Sequence, residues 1–163
     1  MRQHVNDNLL APSKVLASAA CGVVQHIENN KGDVDKIFGQ VGIRQNDIDN
    51  PINELNLMQY CNLFEVAATA TGNDNIGLEF GRTFTPQQLG PIGYAAISSP
   101  TLSAALRNME KYFAAHQGQT SFGLIQDSEM LWLSYRIYDP RILNRRQDAE
   151  LSLGMFCNIF KAA

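Results

Sequence analysis

The segment Leu89–Leu106 constrains the fold more than any other part of the sequence, because its prolines and glycines fix where helices begin and end. Pro91 favours the first turn of a helix, and Gly93 allows a neighbouring backbone to approach closely. Pro100 ends that helix, since it removes a backbone donor and disfavours helical geometry in the residue before it. Ser99 or Thr101 then caps a second helix. The segment therefore predicts two helices that meet at a corner.

Apolar residues recur at helical spacing in three stretches before this corner. The first predicts one helix between residues 13 and 29. Its apolar face consists of Leu16, Ala19, Val23 and Ile27. Asp33 is the expected cap of a short second helix. Asn56 begins a third helix in a capping-box pattern with Gln59, and Gly72 supplies the left-handed residue that ends it.

After Gly118 the pattern changes to a period of two, which is typical of β-strands. Residues 120–138 alternate in this way, apart from a segment of turn composition at 126–129. They predict an antiparallel β-hairpin, which needs a covering helix or further strands because a lone hairpin is marginally stable in water. A last helix begins near Asn144 or Gln147. It is apolar around nearly its whole circumference, which predicts burial on several sides.

These elements predict an α+β fold that is predominantly α, with a multi-helix N-terminal layer, the hairpin, a buried C-terminal helix and a sheet that is incomplete in this sequence. A chain of 163 residues, 45% of them hydrophobic, is long enough for one domain with a core. We expect a flexible arm at residues 1–11 and a single domain over 12–163. The apolar helical pattern continues to the last residues, which predicts a fragment of a longer protein.

Composition argues against several classes of protein. A formal charge of -3 is unlike the basic face of a nucleic-acid-binding domain. No apolar run approaches the roughly 20 residues of a membrane helix. The three cysteines form no CxxC motif, which predicts buried free thiols in a reducing compartment. The segment Val15–Cys21 leaves open an export signal ending at a lipidated cysteine, although it fits an amphipathic helix better.

The sequence contains no pattern typical of an enzyme or a metal site. His4, His26 and His116 have no second ligand at metal-binding spacing, so we expect them to be structural. Asp148 and Glu150 diverge around a helix and do not form an acid–base pair. We therefore expect no catalytic residue, no bound metal and no cofactor.

Aromatic side chains are the best candidates for a small-molecule site, because a ring offers a large contact area and Tyr or Trp adds a polar tip. The residues predicted to line such a site are Tyr94, Tyr112, Trp132, Tyr135 and Arg136. Arg136 would meet a carboxylate ligand through paired hydrogen bonds. Core packing of each ring, and a surface ion pair for the arginine, are the alternatives.

Four segments carry a family resemblance when they are taken in order. They are Ala67–Asp74 (AATATGND), Ile76–Gly81 (IGLEFG), Leu89–Leu106 and Arg146–Glu150 (RQDAE). This ordered set resembles the N-terminal effector domain of AraC-family bacterial transcription regulators, in the subgroup labelled arabinose-binding-like. The resemblance covers approximately residues 12–163.

The resemblance implies a cytoplasmic domain that binds a small-molecule effector and forms homodimers. In the parent protein it implies further strands and a pair of helix-turn-helix units beyond residue 163, so DNA is a partner only through that missing region and no membrane is involved. Inducers vary widely within the family, and the subgroup label does not identify arabinose as the effector. The alternative is a pure dimerisation or protein-interaction module without a small-molecule ligand.

Overall fold

A computed structural model describes residues 11–162, and within them the fold is α+β and predominantly α, as predicted. The helices are α1 (Val23–Asn29), α2 (Val34–Val41), α3 (Leu57–Thr71), α4 (Ile76–Thr83), α5 (Pro91–Ile97), α6 (Leu102–His116) and α7 (Arg146–Ala162). The strands are β1 (Lys14–Leu16), β2 (Glu54–Asn56), β3 (Thr120–Asp127) and β4 (Met130–Ile137). They form two antiparallel pairs, β1–β2 and β3–β4. The predicted arm at residues 1–11 lies outside the described residues, apart from Ala11.

The prediction of a single helix between residues 13 and 29 is wrong. Val15 lies in β1, opposite Leu55 of β2, and a 3₁₀ turn at Ala17–Ala20 follows. Gly22, with φ of 86°, separates that turn from α1. The apolar spacing fits a helix equally well, but pairing with a distant strand determines the local conformation.

The predicted caps of α2 and α3 are confirmed. Asp33 accepts a 3.0 Å hydrogen bond from the third backbone N–H of α2. Asn56 accepts from the second and third N–H groups of α3, at 2.9 and 3.3 Å. The reciprocal half of the capping box differs from the prediction, because the Gln59 side chain donates to the Gly42 carbonyl. Gly72 ends α3 in the left-handed conformation, with φ of 71°.

The corner between α5 and α6 forms as predicted. Thr101 caps α6 by accepting a 3.1 Å hydrogen bond from Ala104 N. A Cβ atom added at Gly93 would lie 1.7 Å from the Pro86 carbonyl oxygen. The 3₁₀ turn at Pro86–Leu89 can therefore pack against α5 only because residue 93 lacks a side chain.

Helix α7 packs against α4 at a distance that three glycines permit. A Cβ atom at Gly77 would lie 2.3 Å from the Gln147 carbonyl oxygen, and one at Gly81 would lie 2.1 Å from that of Leu151. On α7, Gly154 faces the backbone of α4 in the same way. The GxxxG spacing of α4 is therefore a helix-packing feature.

The hairpin has a two-residue turn at Ser128 and Glu129, shorter than the predicted 126–129. At its base Phe122 stacks on Phe113 of α6, with centroids 5.0 Å apart, and packs against Phe156 of α7 at 5.2 Å. These two helices cover the base of the hairpin. Its tip projects into solvent.

Burial differs from the predictions at several positions. Tyr112, predicted to line a small-molecule site, is exposed on α6. Helix α7 is buried on one side, but Leu153, Cys157 and Phe160 form an exposed stripe, so the prediction of burial nearly all round is wrong. The three cysteines are free, and only Cys61 is buried.

Candidate functional site

A small, partly open cavity of about 20 Å³ lies among α3, α6, β4 and α7, beneath the 3₁₀ turns Ala17–Ala20 and Pro86–Leu89. Its polar and aromatic lining includes Tyr60, Phe113, His116, Gln117, Tyr135 and Asp148. A cavity of this size holds about one to two non-hydrogen atoms. Several polar groups thus converge on a small space inside an otherwise apolar core.

Asp148, in the first turn of α7, is 1% exposed. Its carboxylate accepts a long hydrogen bond, 3.4 Å, from Tyr135 Oη. Burial raises the pKa of Asp148 from 3.8 to about 6, although the nearby positive charge of Arg145 opposes the shift. Among residues 11–162 no basic side chain forms an ion pair with this carboxylate. The cavity therefore contains a weakly paired carboxylate.

Tyr135 links Asp148 to the end of α6. Its hydroxyl accepts a 2.7 Å hydrogen bond from Gln117 Nε2, and that amide also donates to Thr120 Oγ1 at 2.9 Å. The ring packs edge-on against Phe113 and Phe156, with centroids 6.0 and 5.8 Å apart. Burial raises the pKa of Tyr135 well above 10, so the hydroxyl stays neutral.

His116, the last residue of α6, is 4% exposed, and its Nδ1 has no hydrogen-bond partner among the described residues. Burial lowers the pKa of His116 from 6.5 to about 4, so its ring is neutral at physiological pH. A neutral imidazole has one donor and one acceptor nitrogen. Its unused polar atom is the clearest sign that the cavity has unfilled hydrogen-bonding capacity.

Tyr60 of α3 lines the other side of the cavity, and the thiol of its neighbour Cys61 lies near Asp148. Tyr60 Oη donates a 3.1 Å hydrogen bond to the Ala19 carbonyl, which holds the Ala17–Ala20 turn over the site. Burial, followed by the negative charge of Asp148, raises the pKa of both the Tyr60 phenol and the Cys61 thiol. Both groups therefore remain protonated.

The structure does not bring the five predicted ligand-binding residues together. Tyr135 lies in the cavity, whereas Tyr112 lines a surface groove of about 300 Å³ between α5 and α6. Tyr94 is exposed on α5. Trp132 and Arg136 are exposed on β4, and the guanidinium of Arg136 lies 5.4 Å from the centroid of the Tyr138 ring.

The sequence analysis missed His116, Gln117 and Asp148 as residues of one site. Asp148 had a detectable signal, because it occupies the same helical face as the apolar Leu151 and Met155. A carboxylate in such a stripe is uncommon and needs a structural or functional explanation. No spacing in the sequence indicates that His116 and Gln117, at the end of α6, line the same cavity as Asp148.

The other described histidine has a structural role, as predicted. His26 Nε2 lies 3.0 Å from the Ile76 carbonyl oxygen, and His4 lies outside the described residues. In the part of the chain that the structure describes, no three His, Cys, Asp or Glu side chains are grouped as metal ligands. None of the helices described there is both long and apolar enough to cross a membrane.

Fold and cavity together define a small, predominantly helical binding domain. Residues 32–163 match the arabinose-binding domain of AraC transcription regulators, N-terminal. The chain belongs to this family of N-terminal ligand-binding regulatory domains, as the four ordered segments predicted. The family is one of regulatory domains and not of enzymes. No curated protein matches the chain.

Proposed function

We propose that this domain senses a small-molecule effector, one group of which enters the small cavity, forms a homodimer and controls a DNA-binding region of its parent regulator in the cytoplasm. It catalyses no reaction in this proposal. Effector binding shifts an equilibrium between two states of the regulator, which requires that the effector bind one state more tightly.

The observation that carries this proposal is the incomplete hydrogen bonding around the cavity. Asp148 accepts a long hydrogen bond from Tyr135 and has the Cys61 thiol, a weak donor, beside it, and His116 Nδ1 has no partner among the described residues. Unsatisfied polar groups are costly in a protein core, so their convergence on one cavity supports a ligand that completes them.

Thermal-shift screening of metabolites tests the sensing role. A ligand at one hundred times its Kd stabilises the folded state by about 2.7 kcal/mol, which raises the Tm by several degrees. We expect Tyr135→Phe to lose most of this shift, because it removes the hydroxyl and keeps the ring. Tyr138→Phe is the matched control, since the Tyr138 hydroxyl bonds Ser121 on the exposed side of the hairpin.

Sensing in this cavity would be contradicted if no compound of a broad metabolite library raised the Tm, or if Tyr135→Phe left the Tm shifts unchanged. The ligand-contact roles of Tyr94, Tyr112, Trp132 and Arg136 remain predictions. An alanine variant of each in the same assay tests them.

The hairpin tip supports the homodimer. Its exposed apolar side chains are Ile125, Met130, Leu131 and Trp132, each more than half exposed. In the described part of the chain β4 pairs with β3 alone, so its other edge is available to a second strand. A Trp flanked by aliphatic side chains is typical of the centre of a protein interface.

Light scattering on three leucine variants tests this interface. Leu131→Asp, in the hairpin tip, is expected to give a monomer, whereas Leu143→Asp, in an exposed loop, is expected to leave the dimer intact. Leu153→Asp tests the exposed stripe of α7. A wild-type monomer at high concentration contradicts dimerisation, and dissociation by Leu153→Asp alone moves the interface to α7.

The second candidate function is a dimerisation module without a small-molecule ligand. The same exposed hairpin tip favours it. It is supported if Leu131→Asp dissociates the dimer and the metabolite screen stays silent.

A further inference from the structure

The hydrogen-bonding capacity left in the cavity consists mainly of acceptors. A carboxylate offers about four acceptor positions, and Tyr135 Oη fills one position of Asp148 at 3.4 Å. His116 Nδ1 adds a further unpartnered atom, which is an acceptor when the neutral ring carries its proton on Nε2. The group that completes this site must therefore donate hydrogen bonds in more than one direction.

The donors of Tyr60 and Gln117 in the same cavity are already used, and the Ser152 hydroxyl, which also lines it, lies beside Tyr135. Tyr60 Oη donates to Ala19, and Gln117 Nε2 donates to Thr120 and Tyr135. An anion would find no free donor among these groups and would be repelled by Asp148. Arg145 and Glu65 also act on the Asp148 carboxylate, with opposite signs, so they do not turn the site into an anion site.

Aromatic rings and aliphatic side chains make up most of the remaining lining. Tyr60, Phe113 and Tyr135 surround the cavity, and the negative faces of such rings attract cations in sites shielded from water. A volume of about 20 Å³ admits a head group of one or two non-hydrogen atoms.

We propose that this cavity binds a protonated amine, whose ammonium group donates to the Asp148 carboxylate and to His116 while it lies against the aromatic rings. The inference rests on the proposed sensing function and gives it a ligand class, namely molecules that present a primary ammonium group. Binding forms no covalent bond.

Ammonium and methylammonium chloride are the probes, and sodium chloride keeps the ionic strength constant. At pH 7.5 we expect each to raise the Tm saturably and to shift the backbone NMR signals of Asp148 and His116. Tetramethylammonium, which has the charge without N–H donors, and acetate are expected to have no such effect. At pH 5 the affinity for methylammonium should be about tenfold lower than at pH 7.5. The reason is that Asp148, with a pKa of about 6, is then about nine-tenths protonated.

Asp148→Asn should weaken methylammonium binding at least about tenfold while circular dichroism stays unchanged. Glu150→Gln is the matched control, because it neutralises a carboxylate on the same helix that pairs with Arg146 outside the cavity. Equal binding to wild type and Asp148→Asn, or stabilisation by acetate, overturns the proposal. The wild-type pH dependence tests it independently of any variant.

The same measurements separate this inference from the sensing function. An anionic metabolite that stabilises the wild type and not Tyr135→Phe overturns the amine class and leaves sensing intact. If methylammonium binds but no metabolite raises the Tm, the amine-binding cavity is supported and the sensing function is contradicted. If neither methylammonium nor any metabolite binds, both the amine class and the sensing function are overturned.

Discussion

Gln147 accepts a 2.9 Å hydrogen bond from Gly77 N through its side-chain oxygen, and this contact joins the start of α7 to the first turn of α4. Its side-chain nitrogen donates to the Asp74 carbonyl at 2.7 Å. Gln147 is 2% exposed, and it satisfies the N–H of the buried Gly77, which water cannot reach. Together with Asn158, which donates to the Gly81 and Arg82 carbonyls, this carboxamide joins α7 to α4.

Gln147→Ala should destabilise the fold by about 1 to 3 kcal/mol, because it leaves the buried Gly77 N–H without a partner, whereas the Asp74 carbonyl still accepts from Arg146. Denaturant unfolding followed by circular dichroism measures this change. Gln25→Ala is the control, since Gln25 bonds only Asn29 at an exposed site and its loss should cost less than about 0.5 kcal/mol. Equal stability of the two variants would show that the carboxamide does not hold the helices.

Gly81→Ala should destabilise the domain by about 3 kcal/mol or more, because its Cβ would overlap the Leu151 carbonyl and force α4 away from α7. Gly39→Ala provides the comparison within an exposed helix. A Cβ there meets nothing within 4 Å, so alanine should stabilise α2 by about 0.5 to 1 kcal/mol. Thermal unfolding of both variants measures the difference, and a Tm for Gly81→Ala at or above wild type would contradict the packing argument.

Asp148 should make the domain less stable as the pH rises from about 4 to about 7. Its folded pKa of about 6 exceeds the ordinary 3.8, so its favourable contribution is complete below pH 3.8 and lost as the pH rises through 6. Asp148→Asn removes this loss. Relative to wild type, we expect the variant to gain about 2 to 3 kcal/mol of unfolding free energy between pH 4 and pH 7. A difference that does not change with pH contradicts the raised pKa.

His116 should act in the opposite direction over nearly the same range. Its folded pKa of about 4 lies below the ordinary 6.5, so wild type loses stability as the pH falls through that interval. His116→Gln cannot ionise. Its stability relative to wild type should therefore increase by about 3 kcal/mol from pH 7 to pH 4, measured by urea unfolding at each pH. The opposite slopes of the Asp148 and His116 variants serve as controls for each other.

Ser13 connects the segment before β1 to the end of the hairpin, because its Oγ donates a 2.5 Å hydrogen bond to Asp139 Oδ2. Arg141 also donates to this buried carboxylate, and these bonds hold the pKa of Asp139 well below its usual range. Ser13→Ala should cost about 1 to 3 kcal/mol, measured by chemical unfolding. Ser103→Ala, at an exposed position of α6, should change stability by less than about 0.5 kcal/mol. An equal effect of the two would contradict the link.

Local sequence signals determined where α2, α3 and α6 begin and where α3 ends. Caps such as Asp33, Asn56 and Thr101, and breakers such as Gly72 and Pro100, act within one turn of the chain. Their effect therefore does not depend on distant residues. The hairpin was predictable for the same reason, because a period of two and a turn are local features.

Tertiary structure decided the N-terminal segment and the candidate site. Val15 is a strand residue because it pairs with Leu55, forty positions away, and the apolar spacing of its own segment contains no record of that partner. The cavity joins α3, α6, β4 and α7. Burial and hydrogen bonding depend on which distant groups meet, so the sequence alone determined the elements and the family, whereas only the packed fold placed Asp148, Tyr135 and His116 around one cavity.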